Sequence, residues 1–310
     1  MSVWIPLFLH ALAYGSILAL AAQGEVIAER SGVINLGVEG LMALGAVVAA
    51  LAADASMSPW IGALAAMGVG GFGSFVLGLA TVNGAANQTL CGVALTFLGL
   101  GLSAVLGHTV AGLPVAAVFG NWSIPGLVSI PVIGPLFSQS PFVYLAFGLV
   151  PLLCHVVLFR TRLGLSLRAV GENPAAADAV GIPVRRFRLG ALVAGGILAG
   201  LAGADMTLSV MPVWSEGMIA GRGWIAVALV IFCGYRPVLA AASALLFGLV
   251  MSLSFFGQAQ GWPIAPAVLN MTPYLGTILF MILPALLFPG MRRLMAAPAA
   301  LGTPYFREER

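Results

Sequence analysis

The sequence predicts an all-α, polytopic integral membrane protein with about nine transmembrane helices (eight to ten), some broken or re-entrant. Three observations carry that reading. Of 310 residues, 61% are hydrophobic and 7% are charged, and the mean hydropathy is +1.07. A soluble domain is about half apolar and a quarter charged, because its surface must face water. Apolar runs long enough to cross a bilayer also recur along the chain. Finally, the arginines and the tryptophans sort to opposite ends of those runs.

The runs fall at about 4–22, 41–53, 60–82, 90–110, 141–159, 189–210, 223–235, 238–256 and 269–288. Backbone in hydrocarbon must satisfy its own hydrogen bonds, so they are helices; none shows the weak alternation of a barrel. The first run has no basic residue before it, as a cleavable signal would, and reads as a retained helix. The second is short and spans only if the glycine-rich stretch before it adds a turn or two. Pro114, Pro125, Pro131 and Pro135 break 111–140 into an outer loop that can dip into the membrane.

All 13 basic residues are arginine. The loop 160–188 holds Arg160, Arg162, Arg168, Arg185, Arg186 and Arg188, which places it in the cytoplasm. Counting outward puts the N-terminus outside and the C-terminus inside, with Arg236, Arg292, Arg293, Arg307 and Arg310 inside and only Arg222 outside. Trp4, Trp60, Trp122, Trp214, Trp224 and Trp262 then all fall at outer ends or in outer loops. The net charge of +3 therefore reflects loop arginines between spans and gives no support to nucleic-acid binding. Cys91, Cys154 and Cys233 lie singly in apolar runs and read as small core residues, not metal ligands or disulfides.

The stretch 24–40 concentrates charge: Glu25, Glu29, Arg30 and Glu39 fall within it. Glu25, Glu29 and Arg30 read as a solvated elbow at the cytoplasmic interface. Asn35 and Glu39 follow a glycine break and run into an apolar helix, where a polar group is costly unless it faces a cavity or a partner. In the loop 160–188, Asn173 can cap a helix, Pro174 suits its first position, and Ala175–Val180 are mostly helix formers. Gly181 suits the left-handed position that ends it, and Pro183 prevents its continuing. A short rigid helix there suits docking of a soluble partner that transmits force; the plainer alternative is a connecting loop. Glu216 and Arg222 form an outer charge pair that reads as packing, with docking of a binding protein as the alternative.

A P-loop needs a lysine on the phosphates, and this chain has none. Its energy must come from a separate ATPase or from an ion gradient. Asp205, Glu216, His10, His108 and His155 are thin candidates for ion coupling, since none reads as a mid-span carboxylate.

The segments "ERSGVINLGVEG" (29–40), "LRAVGENPAAADAVGIPV" (167–184), "GRGWIAVALVIFCGYRPVLAA" (221–241) and "PAALGTPY" (298–305) together resemble one family. It is the inner-membrane permease subunit of bacterial ABC importers, in the branched-chain amino acid and simple-sugar superfamily. Within it, the chain is most similar to the shorter permease of nucleoside importers. The resemblance implies a separate ATPase seated at Glu172–Gly181, with Glu172, Asn173, Pro174, Ala175, Asp178 and Gly181 as its docking residues. It also implies a second permease completing the pathway, an extracytoplasmic binding protein, import as the direction, and no cofactor in this chain. Substrate contacts are expected at polar interruptions of apolar runs: Asn35 and Glu39 in the first motif, and Asn87, Gln88, Thr96 and Phe97 in 81–97. Amides, hydroxyls and an aromatic match a nucleoside better than charges would. Simple sugars, branched-chain amino acids and a vitamin such as riboflavin are the alternatives within the family; an ion-coupled transporter or channel stands outside it.

Overall fold

The computed structural model describes residues 4–130, 133–287 and 296–307. Pro131, Arg292, Arg293 and Arg310 lie outside the described residues.

Each apolar run becomes a helix. In order these are α1 (Trp4–Arg30), α2 (Val38–Ser56), α3 (Pro59–Gly78, with a π turn to Asn83) and α4 (Gln88–Gly107). Next come α5 (Pro141–Tyr144) and α6 (Val150–Arg160), joined by a π turn into one span. Two short surface helices follow, α7 (Arg162–Glu172) and α8 (Pro174–Ala179). Then come α9 (Val184–Asp205, continued by a π turn to Val210), α10 (Arg222–Phe232), α11 (Pro237–Ala259) and α12 (Pro266–Leu287). Among the described residues, seven helices are long and apolar enough to cross a membrane: α1, α2, α3, α4, α5–α6, α9 and α11. The 22 residues of α12 rise about 33 Å, which also suffices.

Two expectations are corrected. The run 223–235 is not a full span: α10 has 11 residues and rises only about 16 Å, half a hydrocarbon core. The solvated elbow at 25–30 does not exist either. Helix α1 continues for 27 residues to Arg30, leaving Glu25 and Glu29 only 0% and 3% exposed. A hydropathy reading ends a span at the first charges, whereas here α9, α10 and α11 cover them.

The core is built on close backbone approach. Helix α9 packs along α1, α2 and α3, and small residues face each other at each crossing. A Cβ on Gly45 would stand 2.8 Å from Gly200 Cα, and one on Gly70 would stand 2.9 Å from the same atom. A Cβ on Gly24 would stand 2.6 Å from the Gly195 carbonyl oxygen. Helix α11 repeats the device against α1, where a Cβ on Gly248 would lie 2.9 Å from Gly15 Cα. In lipid, where burial gives helices no hydrophobic drive to associate, such contact supplies the dispersion energy.

At one end, Trp122–Ser123 pairs antiparallel with Ser138–Gln139. The loop holding them lies on the segment after α9, with Gly112 N donating to Trp214 O and Val115 N to Pro212 O, both at 2.9 Å. Helices α7 and α8 mark the other end.

Candidate functional site

The break between α1 and α2, Ser31–Gly37, is mostly buried, so its peptide groups need protein partners. Side chains provide them. Ile34 N donates to Gln88 Oε1 (2.8 Å), Thr96 Oγ1 donates to Leu36 O (2.7 Å), and Gly37 N donates to Asn35 Oδ1 (3.1 Å). Asn35 Nδ2 in turn donates to Glu25 Oε1 at 3.0 Å. Gly32, at φ +89°, makes the reversal that lets the chain turn back into the bundle. Asn35, Gln88 and Thr96 thus meet at one place and hold the break in shape. Asn87 does not join them: it is exposed and caps α4, accepting from Leu90 N at 3.0 Å. Phe97 is 69% exposed and makes none of these hydrogen bonds.

Glu39, in the first turn of α2, reaches the start of α10. Its Oε1 accepts from Gly221 N and its Oε2 from Gly223 N, each at 2.7 Å, and the residue is 4% exposed. The carboxylate therefore caps an 11-residue helix whose amides and dipole favour an anion there. Gly221 sits at φ +79°, and a Cβ on Gly223 would lie 2.6 Å from Glu39 Cα, so glycine is required on both sides of Arg222.

The depth of this junction follows from α10. Arg30 at the end of α1 donates to Tyr235 O (2.9 Å) and Gly234 O (3.2 Å), which levels the C-terminus of α10 with the α7–α8 end of the bundle. Its N-terminus is about 16 Å away along the helix axis, about half the thickness of a hydrocarbon core. The chain after α9 therefore re-enters from the opposite end, and α10 is a half-helix. This corrects the outer pairing of Arg222 with Glu216. Arg222 turns inward, its Nη1 donating to Met218 O (2.7 Å) and Ile219 O (2.9 Å), while Glu216 is exposed. Asp205, which reads from sequence as near a span end, is fully buried and accepts from Ser16 Oγ at 2.5 Å.

The end bearing α7 and α8 forms a platform. Asn173 Oδ1 accepts from Ala176 N (3.0 Å), Pro174 opens α8, and Gly181 follows it at φ +85°. Ala175, Val180 and Gly181 are exposed, whereas the Glu172 and Asp178 carboxylates are engaged by the chain's own tail. Ala299 N donates to Glu172 Oε2 (3.2 Å), Tyr305 OH donates to Asp178 Oδ2 (3.0 Å), and Arg307 pairs with Asp178 at 3.3 Å. The tail also bonds α7, the break and α9: Ala300 N to Gly171 O (2.9 Å), Gly302 N to Gly32 O (3.1 Å), and Arg188 Nη1 to Thr303 O (2.8 Å). Sequence reasoning missed this strap and α7, although Thr161 offered a capping signal; its hydroxyl accepts from Gly164 N at 3.1 Å. Ending the chain after Met295 removes these bonds. Transport is expected to fall severely while the protein still inserts, measured as uptake per mole of membrane-extracted permease.

Burial pushes the Cys233 thiol, just beyond α10, up to about 11, so it carries little thiolate and is inert packing. Among the described residues no group of three or more His, Cys, Asp or Glu side chains is placed to hold a metal ion.

Residues 7–288 match the family described as the branched-chain amino acid transport system permease component. A guanosine ABC transporter permease protein of Bacillus subtilis is 34% identical over 96% of both chains. A nucleoside ABC transporter permease protein of Lactococcus lactis subsp. cremoris is 36% identical, over 88% of this chain and 90% of the relative. A Haloferax volcanii protein assigned provisionally to glucose ABC transport is 35% identical, over 94% and 95%. No solved structure matches. With a bundle of membrane-spanning helices, no nucleotide-binding motif of its own and a match over nearly its whole length, the chain belongs to the ABC transporter permease family of the branched-chain amino acid type.

Proposed function

We propose that this permease subunit forms one half of the pathway of a nucleoside importer in a bacterial inner membrane. A second, homologous permease supplies the other half. The N-terminus lies outside and the α7–α8 platform lies in the cytoplasm, where a separate ATPase seats on Asn173–Gly181. The observation that carries this reading is likeness along almost the entire chain to two permeases named for guanosine and nucleosides. The arginine-rich flanks of α7–α8 support the orientation. The exposed face of α8, framed by Asn173 and Gly181, supports the docking role: it is short, capped at both ends and tied by the tail to the α1–α2 break. Sugar transport is the second reading, favoured by the Haloferax volcanii relative.

The test is ATP-driven uptake by the complex reconstituted with its ATPase, second permease and binding protein. Guanosine or uridine is expected to accumulate and glucose is not; uptake driven by a proton gradient without ATP would overturn the reading. In the same assay Gly181→Pro is expected to abolish transport with normal insertion. Proline cannot adopt φ +85° and removes the Gly181 N–H that donates to Asp178 O at 2.9 Å. Normal uptake by that variant would remove α8 as the force-bearing contact.

A further inference from the structure

Beside the start of α10 lies a cavity of about 280 Å³ between α10, α11 and α12. Ligand pockets begin at about 300 Å³, so it suits a small molecule and little more. Two aromatic rings line it, Phe255 and Tyr274. They are 42% and 43% exposed, so the cavity opens on the surface of the subunit. Phe255 stacks on Tyr14 with centroids 5.0 Å apart and is the wall shared with a second cavity of about 260 Å³.

The polar groups are selective. Arg222 lines the cavity and is 8% exposed. Its Nη1 is spent on two carbonyls, but its buried Nε–H has no partner. Asn270 Oδ1 accepts from Gln258 Nε2 at 3.0 Å, which leaves the Asn270 amide N–H groups as donors. Among the described residues no carboxylate lines the cavity, whose polar side chains are Arg222, Asn270, the Ser254 hydroxyl and the Tyr274 hydroxyl, beside two aromatic rings.

The charge balance argues against an anion. Both backbone amides that would bind one, Gly221 N and Gly223 N, are already taken by Glu39, whose negative charge also offsets that of Arg222. What remains suits a neutral, flat molecule with carbonyl acceptors at its edge.

We propose that this cavity is where the subunit contacts the nucleoside in transit, with the base against Phe255 and Tyr274 and its edge carbonyl accepting from the Asn270 amide beside the Arg222 guanidinium. The assignment rests on the nucleoside reading given above. It adds a contact point distinct from Asn35, Gln88 and Thr96, whose acceptors and hydroxyls hold the break.

The test uses the full reconstituted complex with guanosine and uridine. Phe255→Leu keeps apolar bulk and removes the ring, Phe255→Tyr keeps the ring, and Asn270→Leu removes the donor. Uptake at nucleoside concentrations well below saturation is expected to fall about tenfold in the two leucine variants, the size of one lost base–aromatic stack or one edge contact. Phe255→Tyr is expected to restore it. The amount of assembled complex and its ATP hydrolysis should not change. If leucine and tyrosine at 255 behave alike, or if uptake and hydrolysis fall together in the leucine variants, the side chains only pack and the assignment is overturned. An unaltered complex that imports no nucleoside overturns the nucleoside reading, and the assignment with it. Unaltered import with uptake unmoved in every variant overturns the assignment alone.

Discussion

Glu39→Gln is expected to abolish ATP-driven uptake while the permease still copurifies with its ATPase. The substitution keeps size and shape, so the loss isolates chemistry. Both carboxylate oxygens accept backbone N–H groups at 2.7 Å, and an amide can present an acceptor to only one. Its NH₂ then meets the other N–H, donor against donor. The variant also loses the negative charge at the α10 dipole and beside Arg222. Charge-assisted bonds of this kind contribute about 1.5–3 kcal/mol, and an orphaned buried donor costs about 1–3 kcal/mol more. That is ample to fray the first turn of an 11-residue helix. Uptake by the reconstituted complex, with ATPase recovery on the same sample, separates lost transport from lost assembly. Near-normal uptake would mean that the start of α10 is held by something other than this carboxylate.

Gly200→Leu is expected to leave almost no folded permease to extract. A Cβ at that position would collide with the Ala66 carbonyl and lie 3.2 Å from Gly70 Cα, while Gly45 approaches the same residue from α2. No flexible side chain stands there to yield; only whole helices can. Ordinary overpacking costs about 1–3 kcal/mol, and displacing two neighbouring helices at once belongs at or above the top of that range. Against a total stability of about 5–15 kcal/mol, the effect should appear as a collapse in detergent-extracted yield and in Tm. Gly68, whose added Cβ would meet nothing within 4 Å, is the matched control, and Gly68→Ala should behave as the unaltered protein.

Local chemistry was legible in the sequence and distant partnership was not. The helices follow from runs of apolar residues, and α8 follows from Asn173, Pro174 and Gly181 acting on neighbours within a few positions. Glu39 stood out as a costly polar group, but its partners Gly221 and Gly223 are more than 180 positions away, and no periodicity links them. Glu25 and Glu29 were misplaced for a related reason. Their cover comes from α9 and the α10–α11 region, so charge alone read as exposure. Phe97 had the right chemistry for a nucleoside on a face that the fold turns outward. Phe255 and Tyr274 lay inside ordinary apolar runs, where nothing local distinguishes a pocket wall from packing.

The backbone seams of the bundle also fix where the subunit can bend. Helices α1, α2, α3, α9 and α11 approach backbone to backbone where Gly248 meets Gly15, Gly24 meets Gly195, and Gly45 and Gly70 meet Gly200, so those crossings have no layer of side chains in which to slide. Among the described residues, span α5–α6 and helix α12 show no such seam: an added Cβ at Gly148 meets nothing within 4 Å, and one at Gly276 meets only side-chain atoms at 3.8 Å or more. Contacts of that kind run through side chains, which can repack where backbone cannot. The faces of the subunit left free of such seams are those of α5–α6 and of α12, which carries Tyr274.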